Sequence, residues 1–375
     1  MKALAIVKGK DGIQEIDIEE PKIEDAKQVK IKIIEMGIDG TDRSILKHSL
    51  LDPPEGEDYL ILGHEAVGEV IEVGDKVKEI KLGDSVVPTV RRGCNQCASC
   101  LHNQSDMCST GLYKERGIHK LHGYFTEYVV EEEKYLVKIP ENVQNLAVLT
   151  EPLSIAEKAL EEVRFIQQRL PWACIHPEHT YNTPGWGGCK KAMVIGVGPL
   201  GFLAVALLRY YGLPTYALVN RDRDDIRVRL IEQMGAIYVD SRNINLKKLL
   251  EKTGHVDLII EASGVAPLIL DLIPLLSRNG IFVLTGIPRG ERKVCLDGNL
   301  IIRETVRKNQ IILGSVNSNK SHFESAVKHL YELREMYGNV INKIITKRYS
   351  LKDYKEAFEE RKKEDLKTIF DMKGN

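Results

Sequence analysis

The sequence predicts a two-domain α/β protein, in which a β-rich, barrel-like unit is followed by a doubly wound parallel sheet. Its 375 residues are too many for one simple core. Up to about residue 90, short runs of alternating polar and apolar residues are separated by glycine turns, which is typical of β-strands. From Lys191 onward, apolar strands alternate with helical stretches, which indicates a parallel sheet covered by helices.

Composition and charge narrow the class of protein. Apolar residues make up 43% of the chain, enough for sizeable cores, and 53 basic residues nearly balance 54 acidic ones. A net charge of −1 argues against a nucleic-acid or membrane-surface partner, since either favours a one-signed patch. No apolar run approaches the roughly 18 residues of a membrane span, and the first residues lack a signal-peptide pattern. We therefore expect a cytoplasmic protein.

The first part of the chain contains predicted strands and one long helix. That helix is expected from about Leu149 to Gln168, because Glu151 and Pro152 suit its first turn. A stretch rich in Pro, Gly, Trp and Tyr at 171–190 predicts the connection between domains. Strands are expected at 29–35, 69–74, the end of 81–87, 124–130 and 135–140.

The second part carries the predicted parallel sheet. An apolar helix follows its first strand to about Tyr211, and the tail from about Ser318 is expected to return to the first domain. We place the first domain at 1–190 and 318–375 and the second at 191–317. The strands of the second domain are expected at 192–195, 215–219, 237–239, 256–260, 280–284 and 310–313.

Four of the seven cysteines, Cys94, Cys97, Cys100 and Cys108, lie in a polar stretch with C-x2-C-x2-C-x7-C spacing. In a reducing compartment such crowding indicates metal binding rather than disulfides. Four thiolates form a closed tetrahedral shell without an open position, which favours a structural zinc in a lobe at about 91–112. An iron–sulfur cluster is the alternative, because four close cysteines can also hold one.

The turn after the first strand of the second domain reads Gly196-Val197-Gly198-Pro199-Leu200-Gly201. A G-x-G-x-x-G run between a strand and a helix is the fingerprint of dinucleotide binding in a Rossmann domain. Gly196 allows the tight turn, Gly198 lets the backbone approach the pyrophosphate, and Gly201 lets helix and strand pack closely.

The end of the following strand indicates which dinucleotide is bound. NAD-preferring sites usually carry Asp or Glu there, which bonds the ribose 2′-hydroxyl. This chain has Asn220 and Arg221, with Arg223 two residues further on, and these donors can bind a 2′-phosphate. NADP is therefore favoured, with NAD as the alternative cofactor. A solvated helix start is the other explanation of the two arginines.

An imidazole and a carboxylate, His64 and Glu65, stand side by side in a glycine-flanked turn. Taken alone, this turn is either a metal site or the place of a buried, hydrogen-bonded histidine. Asp39 can equally be a turn residue, and Glu151 an anion at a helix start. The residues by themselves leave these alternatives open.

The order of these motifs resembles that of the zinc-containing medium-chain dehydrogenases. Within that superfamily the chain looks like the archaeal glucose 1-dehydrogenases, and the resemblance covers essentially the whole chain. It rests on 37–42 (G-I-D-G-T-D), Gly63-His64-Glu65, the four cysteines, the glycine turn, 88–92, Glu115, 117–119, Glu151-Pro152-Leu153, Glu157-Lys158 and Val316-Asn317.

The resemblance implies a GroES-like catalytic domain, a Rossmann domain and two zinc ions per chain. As ligands of the catalytic zinc it implies Asp39, His64 and Glu151, with Glu65 as an alternating or outer ligand. Most zinc alcohol dehydrogenases have Cys in place of Asp39, whereas Asp at this position is known among glucose dehydrogenases. Asp42 matches the carboxylate that orients the ligating histidine.

The implied reaction is hydride transfer from C1 of a cyclic aldose, D-glucose or D-galactose, to NADP or NAD, which yields a lactone. The resemblance places Thr41 in a proton relay at the substrate, and Glu115, Glu151 and Asn317 beside the sugar. It also implies a homo-oligomer, either a tetramer or a dimer. Beyond the glycine turn and Asn220 to Arg223, the residues implied to line the cofactor are Thr285, Gly286, Ile287, Ser315, Val316, Asn317 and Lys367.

Two other functions remain open. A polyol, threonine or other alcohol dehydrogenase would use the same scaffold, although an alcohol pocket would be apolar, whereas Glu115 and Asn317 favour a sugar. A non-catalytic, cofactor-binding structural protein is the more distant alternative, since such a protein could lose the metal ligands that this chain retains.

Overall fold

The amino-terminal part of the chain forms short strands whose buried side chains are mostly aliphatic. Its helices are α1 (Gly40–His48), α2 (Ala98–Leu101) and α3 (Thr150–Gln167), with 3-10 turns at Ser105–Met107, Glu133–Tyr135 and Glu141–Leu149. Its strands are β1 (Lys2–Val7), β2 (Gln14–Asp17), β3 (Gln28–Ile38), β4 (Tyr59–Ile61), β5 (Glu65–Val73), β6 (Ser85–Pro88), β7 (Arg91–Arg92), β8 (Lys114–Arg116), β9 (Lys120–Leu121), β10 (Tyr128–Glu132) and β11 (Leu136–Lys138).

The middle and the end of the chain alternate strands with helices. The strands are β12 (Ala192–Ile195), β13 (Thr215–Val219), β14 (Ile237–Asp240), β15 (Val256–Glu261), β16 (Leu276–Leu284), β17 (Ile311–Gly314), β18 (Ile345–Ser350) and β19 (Lys367–Asp371). The helices are α4 (Pro199–Tyr210), α5 (Ile226–Gln233), α6 (Leu246–Thr253), α7 (Ala266–Leu272), α8 (Gly298–Arg307), α9 (Lys320–Tyr337), α10 (Asn339–Asn342) and α11 (Tyr354–Glu359), with 3-10 turns at Ile273–Leu275 and Leu351–Asp353.

This computed structural model describes residues 1–48, 50–170, 176, 188–242, 245–288, 293–359 and 364–372. The chain divides into unit 1, with residues 1–154, 317–331 and 345–375, and unit 2, with residues 155–316 and 332–344. The predicted domains, 1–190 with 318–375 and 191–317, divide the chain differently and remain predictions. The predicted connection at 171–190 lies largely outside the described residues.

The main sheet of unit 1 has the strand order β11-β6-β5-β3-β19-β18, and β10 also pairs with β3. Strand β3 lies between two antiparallel neighbours, with Gly37 opposite Glu65 on β5 and Ile38 opposite Thr368 on β19. The carboxyl end of β3 therefore meets the amino ends of β5 and β19. This register brings three distant segments of the chain to one edge of the sheet.

The sheet of unit 2 is parallel, with the strand order β14-β13-β12-β15-β16-β17. Its core includes Ile195, Leu218, Ile259 and Phe282, all essentially inaccessible to solvent. The predicted strands at 192–195 and 215–219 have the bounds that the structure shows. Because parallel strands end at the same edge, the loops after β12, β13, β15 and β16 lie along one side of the sheet.

Three predicted strands are placed wrongly at their starts, since β5 begins at Glu65 rather than at 69, β16 begins at Leu276 rather than at 280, and β10 begins later than predicted. The stretch 124–130 was expected to be extended throughout, but β10 begins only at Tyr128. The backbone amides of Tyr124 and Phe125 instead donate to the carbonyls of Gly63 and Leu62 at 2.9 and 3.0 Å. Both aromatic side chains are fully buried, so the segment packs under the turn at residue 63 rather than pairing along a strand.

Among the helices of the described residues, none combines the length and the apolar character that crossing a membrane requires.

Candidate active site

His64 is fixed by a turn whose backbone is closely packed. Gly63, just before it, has a φ of +90°, a left-handed conformation that glycine adopts without strain. Gly117 lies against this turn, since a Cβ there would sit 2.5 Å from the Gly63 carbonyl oxygen. Gly123 approaches the same carbonyl, and His64 itself is only 3% exposed. The turn therefore holds the imidazole in a defined place.

Asp39 lies between the end of β3 and the start of α1. One oxygen, Oδ1, accepts hydrogen bonds from the backbone amides of Thr41 at 2.7 Å and Asp42 at 2.9 Å. This is the arrangement of a helix N-cap. The other oxygen, Oδ2, lies 3.5 Å from Nε2 of His64. Capping thus orients the carboxylate and leaves one oxygen directed at the imidazole.

The second nitrogen of His64 faces another carboxylate. Its Nδ1 lies 3.5 Å from Oδ1 of Asp42, whose side chain is fully buried. Neither atom has a hydrogen-bond partner within the described part of the chain. A buried carboxylate beside Nδ1 favours the tautomer that carries the proton on Nδ1, which leaves the lone pair on Nε2. Nε2 is the nitrogen that faces Asp39.

The spacing of these atoms fits a zinc ion. Two ligands at bond lengths of about 2.0–2.2 Å around a tetrahedral zinc lie roughly 3.4 Å apart. The separation of 3.5 Å between Asp39 Oδ2 and His64 Nε2 agrees with this value. Asp39, Asp42 and His64 each place one donor atom within 4.8 Å of the others. Oxygen and imidazole nitrogen are both donors that zinc accepts.

Burial and neighbouring charges shift the pKa values of the acidic groups and the histidine in this site. Burial raises the pKa of the Glu151 carboxyl to about 8. Burial alone would lower the pKa of His64, but the charges of Asp39 and Asp42 raise it well above its usual range. Burial alone would likewise raise the pKa of Asp39, and the charge of His64 instead lowers it. Such a site favours positive charge, which a divalent cation supplies once the ligands lose their protons.

Glu65, implied as an alternating or outer ligand, is paired with a lysine. Its Oε2 contacts Nζ of Lys367. Both side chains are buried, and Nζ also donates to the carbonyl of Ile38 at 3.2 Å. The resemblance implied that Lys367 lines the cofactor. That placement does not fit the structure, because the ammonium group is fully buried on a carboxylate.

Glu151 and Thr41 lie in helices next to these residues. Glu151 is the second residue of α3 and is 9% exposed, but its carboxylate is outside the group formed by Asp39, Asp42 and His64. Its pKa responds to the charges of His64 and Asp39, which places it nearby. Thr41 gives its amide to Asp39, and its hydroxyl makes no hydrogen bond within the described residues.

The four cysteines converge as their spacing predicts. Their sulfur atoms lie within 4.8 Å of one another, and Sγ of Cys94 is 3.9 Å from Sγ of Cys100. Thiolates on a tetrahedral zinc, with bonds of about 2.3 Å, lie roughly 3.8 Å apart. The lobe therefore fits a structural zinc. Four sulfurs at this spacing do not by themselves exclude an iron–sulfur cluster.

Glu115 and Asn317, the implied sugar-binding residues, are in contact. The side-chain amide of Asn317 donates to Oε1 of Glu115. Arg91 lies on β7, opposite Glu115 on β8. It also donates to Oε1 of Glu115, from Nε at 3.0 Å and from Nη2 at 2.8 Å. No role for Arg91 was predicted from the sequence, because cross-strand register is not visible in the order of residues.

In unit 2, the glycine turn has the geometry that its motif predicts. Gly196 has a φ of +85°, and a Cβ at Gly201 would collide with the Gly196 carbonyl. A Cβ at Gly198 would meet nothing within 4 Å, so there is open space above this residue. Helix α4 begins at Pro199, and its amino end, with Leu200, faces the turn. Such a terminus suits the binding of a phosphate.

The loop after β13 presents its arginines in two ways. Nη1 of Arg221 donates to the carbonyl of the exposed Asn220 at 2.8 Å. Arg223 is turned away toward Oε1 of Glu232, also at 2.8 Å. The intervening Asp222 accepts a hydrogen bond from Nη1 of Arg242 at 2.6 Å. Asp222 is thereby paired, which reduces its repulsion of an anionic ligand.

A buried carboxylate organises the loops after β15 and β16. Oε1 of Glu261 accepts from the amides of Ser263 and Gly264 at 2.5 and 2.8 Å. Thr285 donates its hydroxyl to the carbonyl of Glu261, and Gly286 donates its amide to the same group. Sequence reasoning named the loop residues but missed Glu261, which reads as the last residue of a strand. Of the remaining implied cofactor residues, Ile287 and Val316 are exposed and Ser315 is buried.

Two family models match successive stretches of the chain. Residues 25–141 match the model of the alcohol dehydrogenase GroES-like domain, and residues 144–372 match that of the glucose dehydrogenase C-terminus. The chain belongs to the glucose 1-dehydrogenase family. Membership in this family confirms the predicted resemblance, the fold class of a GroES-like and a Rossmann domain, and the prediction of an oxidoreductase.

Members of this family match over the full length of the chain. The glucose 1-dehydrogenase of Methanocella arvoryzae is 35% identical over 376 residues, covering 99% of each chain. Glucose 1-dehydrogenase 2 of Vulcanisaeta moutnovskia is 37% identical over 374 residues, with the same coverage. The structure of Haloferax mediterranei glucose dehydrogenase in complex with NADP, Zn and gluconolactone is 33% identical, with a TM-score of 0.86 and complete coverage of both chains.

Proposed function

We propose that the chain oxidises an aldose, D-glucose or D-galactose, at C1 to the aldonolactone, with NADP or NAD as hydride acceptor. One observation carries the proposal: in a glucose 1-dehydrogenase family chain, Asp39 Oδ2 and His64 Nε2 are 3.5 Å apart, as ligands of one zinc would be. Zinc bound there would act as a Lewis acid that lowers the pKa of the C1 hydroxyl. A second zinc would be held by the four cysteines.

The neighbouring side chains have supporting roles in this proposal. Asp42 fixes the imidazole through Nδ1, and such outer carboxylates matter nearly as much as the ligands. Lys367 neutralises Glu65, so that this carboxylate is an electrostatic neighbour rather than a permanent ligand. Glu151 would complete the ligand set. The hydroxyl of Thr41 would relay the proton that leaves the substrate, accepting it while its own proton passes on to water.

The first test is a matrix of sugars and cofactors. We expect initial rates with D-glucose or D-galactose to exceed those with L-threonine, ethanol and polyols, because Glu115 and Asn317 form a polar surface that rewards several hydroxyl groups. Each substrate is measured with NADP and with NAD. Oxidation of ethanol or threonine without any aldose activity would favour an alcohol or threonine dehydrogenase instead. A chain that binds NADPH but turns over nothing would support a structural protein.

The second test addresses the choice of cofactor. Replacing Arg221 with alanine should raise KM for NADP by about tenfold or more and leave KM for NAD nearly unchanged, because a charge-assisted bond to the 2′-phosphate is lost. Arg223→Ala is the matched control, since that guanidinium is 76% exposed in its side chain and bound to Glu232. A smaller effect is expected there. Equal losses with NADP and NAD would contradict a 2′-phosphate contact by Arg221.

Assembly and location belong to the same proposal. We expect a cytoplasmic homo-oligomer, a dimer or a tetramer, that acts on a small sugar and has no nucleic-acid or membrane partner. Helix α8 carries Ile302 and Val306, which are 64% and 69% exposed. A second copy of the chain would cover such an apolar surface. The near balance of 53 basic and 54 acidic residues agrees with the expected lack of a nucleic-acid partner.

A further inference from the structure

The carboxylate of Glu115 is held from one side only. Its Oε1 accepts from Nε and Nη2 of Arg91 and from the side-chain amide of Asn317. Its Oε2 receives no hydrogen bond from the described residues and is not among the fully buried atoms. Three donors on one oxygen leave the other free to accept a hydrogen bond from a ligand hydroxyl.

Arg91 is itself immobilised. Its side chain is only 6% exposed, and Nη1 donates to the carbonyl of Asp106 at 2.7 Å. The guanidinium lies over the ring of Tyr113, at 3.9 Å from the centroid. Every nitrogen of the guanidinium therefore has a partner, and the planar group cannot rotate without losing several contacts. A fixed donor of this kind can set the orientation of the carboxylate that it binds.

Asn317 completes the same arrangement at some conformational cost. Its φ is +61°, in the left-handed region that asparagine tolerates better than most residues. Its Oδ1 accepts the amide of Ser318 at 2.8 Å, which turns the NH2 group toward Glu115. One of the two N–H donors of the amide is therefore committed to the carboxylate. This leaves Glu115, rather than Asn317, as the acceptor that faces a ligand.

We propose that Arg91 is a positioning residue for sugar recognition, which directs Oε2 of Glu115 toward one hydroxyl of the aldose. This inference rests on the proposed function, because it names how the same site selects its substrate. The chemistry requires a hydroxyl donor at one ring position. It predicts that a sugar lacking that hydroxyl binds poorly, and that the penalty depends on Arg91 as much as on Glu115.

The test compares D-glucose with its 2-, 3-, 4- and 6-deoxy forms. In the wild type, removal of one particular hydroxyl should lower kcat/KM by about tenfold or more, mainly through KM. In Glu115→Gln the penalty at that position should shrink to within about threefold. Arg91→Lys keeps the positive charge but cannot hold the carboxylate and the Asp106 carbonyl together. Arg91→Lys should therefore reduce the penalty for the missing hydroxyl at the same position of the sugar, as Glu115→Gln does.

Arg92 supplies the matched control. This next residue on β7 directs its guanidinium to Glu131 instead of Glu115. Arg92→Lys should keep the wild-type penalty for every deoxy sugar, whatever its effect on absolute rates. An Arg91→Lys enzyme that slows all sugars by one factor, with the wild-type penalty intact, would reduce Arg91 to a structural residue and overturn the inference. A wild type that oxidises no aldose would overturn the proposed function itself, and the two failures are thus distinguishable.

Discussion

Replacing Asp39 with alanine is expected to lower aldose turnover by at least about a thousandfold, because loss of a ligand removes a Lewis acid worth several kcal/mol of transition-state stabilisation. Binding of NADPH should stay within about twofold of the wild type, since the glycine turn and the loops after β13, β15 and β16 belong to unit 2 and Asp39 to unit 1. Zinc analysis should fall from about two ions per chain to about one. Fluorescence titration with NADPH provides the binding constant.

A second variant separates the metal role of Asp39 from its role in folding. Alanine also removes the cap that Oδ1 provides to α1, which costs about 1 kcal/mol of stability. Asp39→Asn keeps an oxygen for the two amides but offers the metal a neutral, weaker ligand. It should melt like the wild type and still lack activity. Full activity in Asp39→Asn, or loss of NADPH binding in either variant, would show that Asp39 acts through folding.

Much of the architecture could be predicted because it depends on local patterns. The G-x-G-x-x-G turn carries its own geometric demands, and Gly196 and Gly201 meet them in the structure. Cysteine spacing likewise limits where four thiols can go, and they do converge. The pairing of Asp39 with His64 is different. It joins residues from separate segments, and only the resemblance to a family suggested it.

The polar contacts inside the site could not be predicted from the chain. Lys367 reaches Glu65 across 302 positions, and Asn317 reaches Glu115 across 202. A lysine near the end of the sequence gives no sign of which carboxylate it will neutralise. Here the register of β19 against β3 decides it, and a shift of one residue would turn the side chain to the other face. The type of each side chain therefore predicts the kind of contact it can make, whereas the residue that it contacts is determined by tertiary packing.

Glu131 is another buried carboxylate with long-range partners, and its substitution is expected to lower the stability of the fold strongly. Its Oε1 lies 2.9 Å from Nη2 of Arg92 and 2.6 Å from Nη2 of Arg116, and it accepts the hydroxyl of Tyr124 at 2.9 Å. Glu131→Gln would leave two largely buried guanidinium groups, with side chains 11% and 14% exposed, without their counter-ion. Breaking such a pair typically costs about 3–5 kcal/mol. We expect a loss of that size in the free energy of unfolding, measured with urea at neutral pH.

Acid should diminish this difference between wild type and variant. Burial alone would raise the pKa of Glu131, but the charges of Arg116 and Arg92 lower it below the usual range. A carboxyl with a lowered pKa stabilises the fold above its unfolded pKa of about 4.3, and that contribution disappears as pH falls through the folded value. The gap in unfolding free energy should therefore be widest at neutral pH and should narrow below about pH 4.

Glu132→Gln is the matched control for this prediction. Glu132 is the next residue on β10 and pairs at the surface with Lys134, with side chains 41% and 52% exposed. Loss of such a pair should cost less than about 1 kcal/mol. Equal effects of the two variants would mean that the arginines find other partners when Glu131 is neutral. A large loss at Glu131 alone would show that this carboxylate holds together Arg116 and Arg92, the neighbours of Glu115 and Arg91 on β8 and β7.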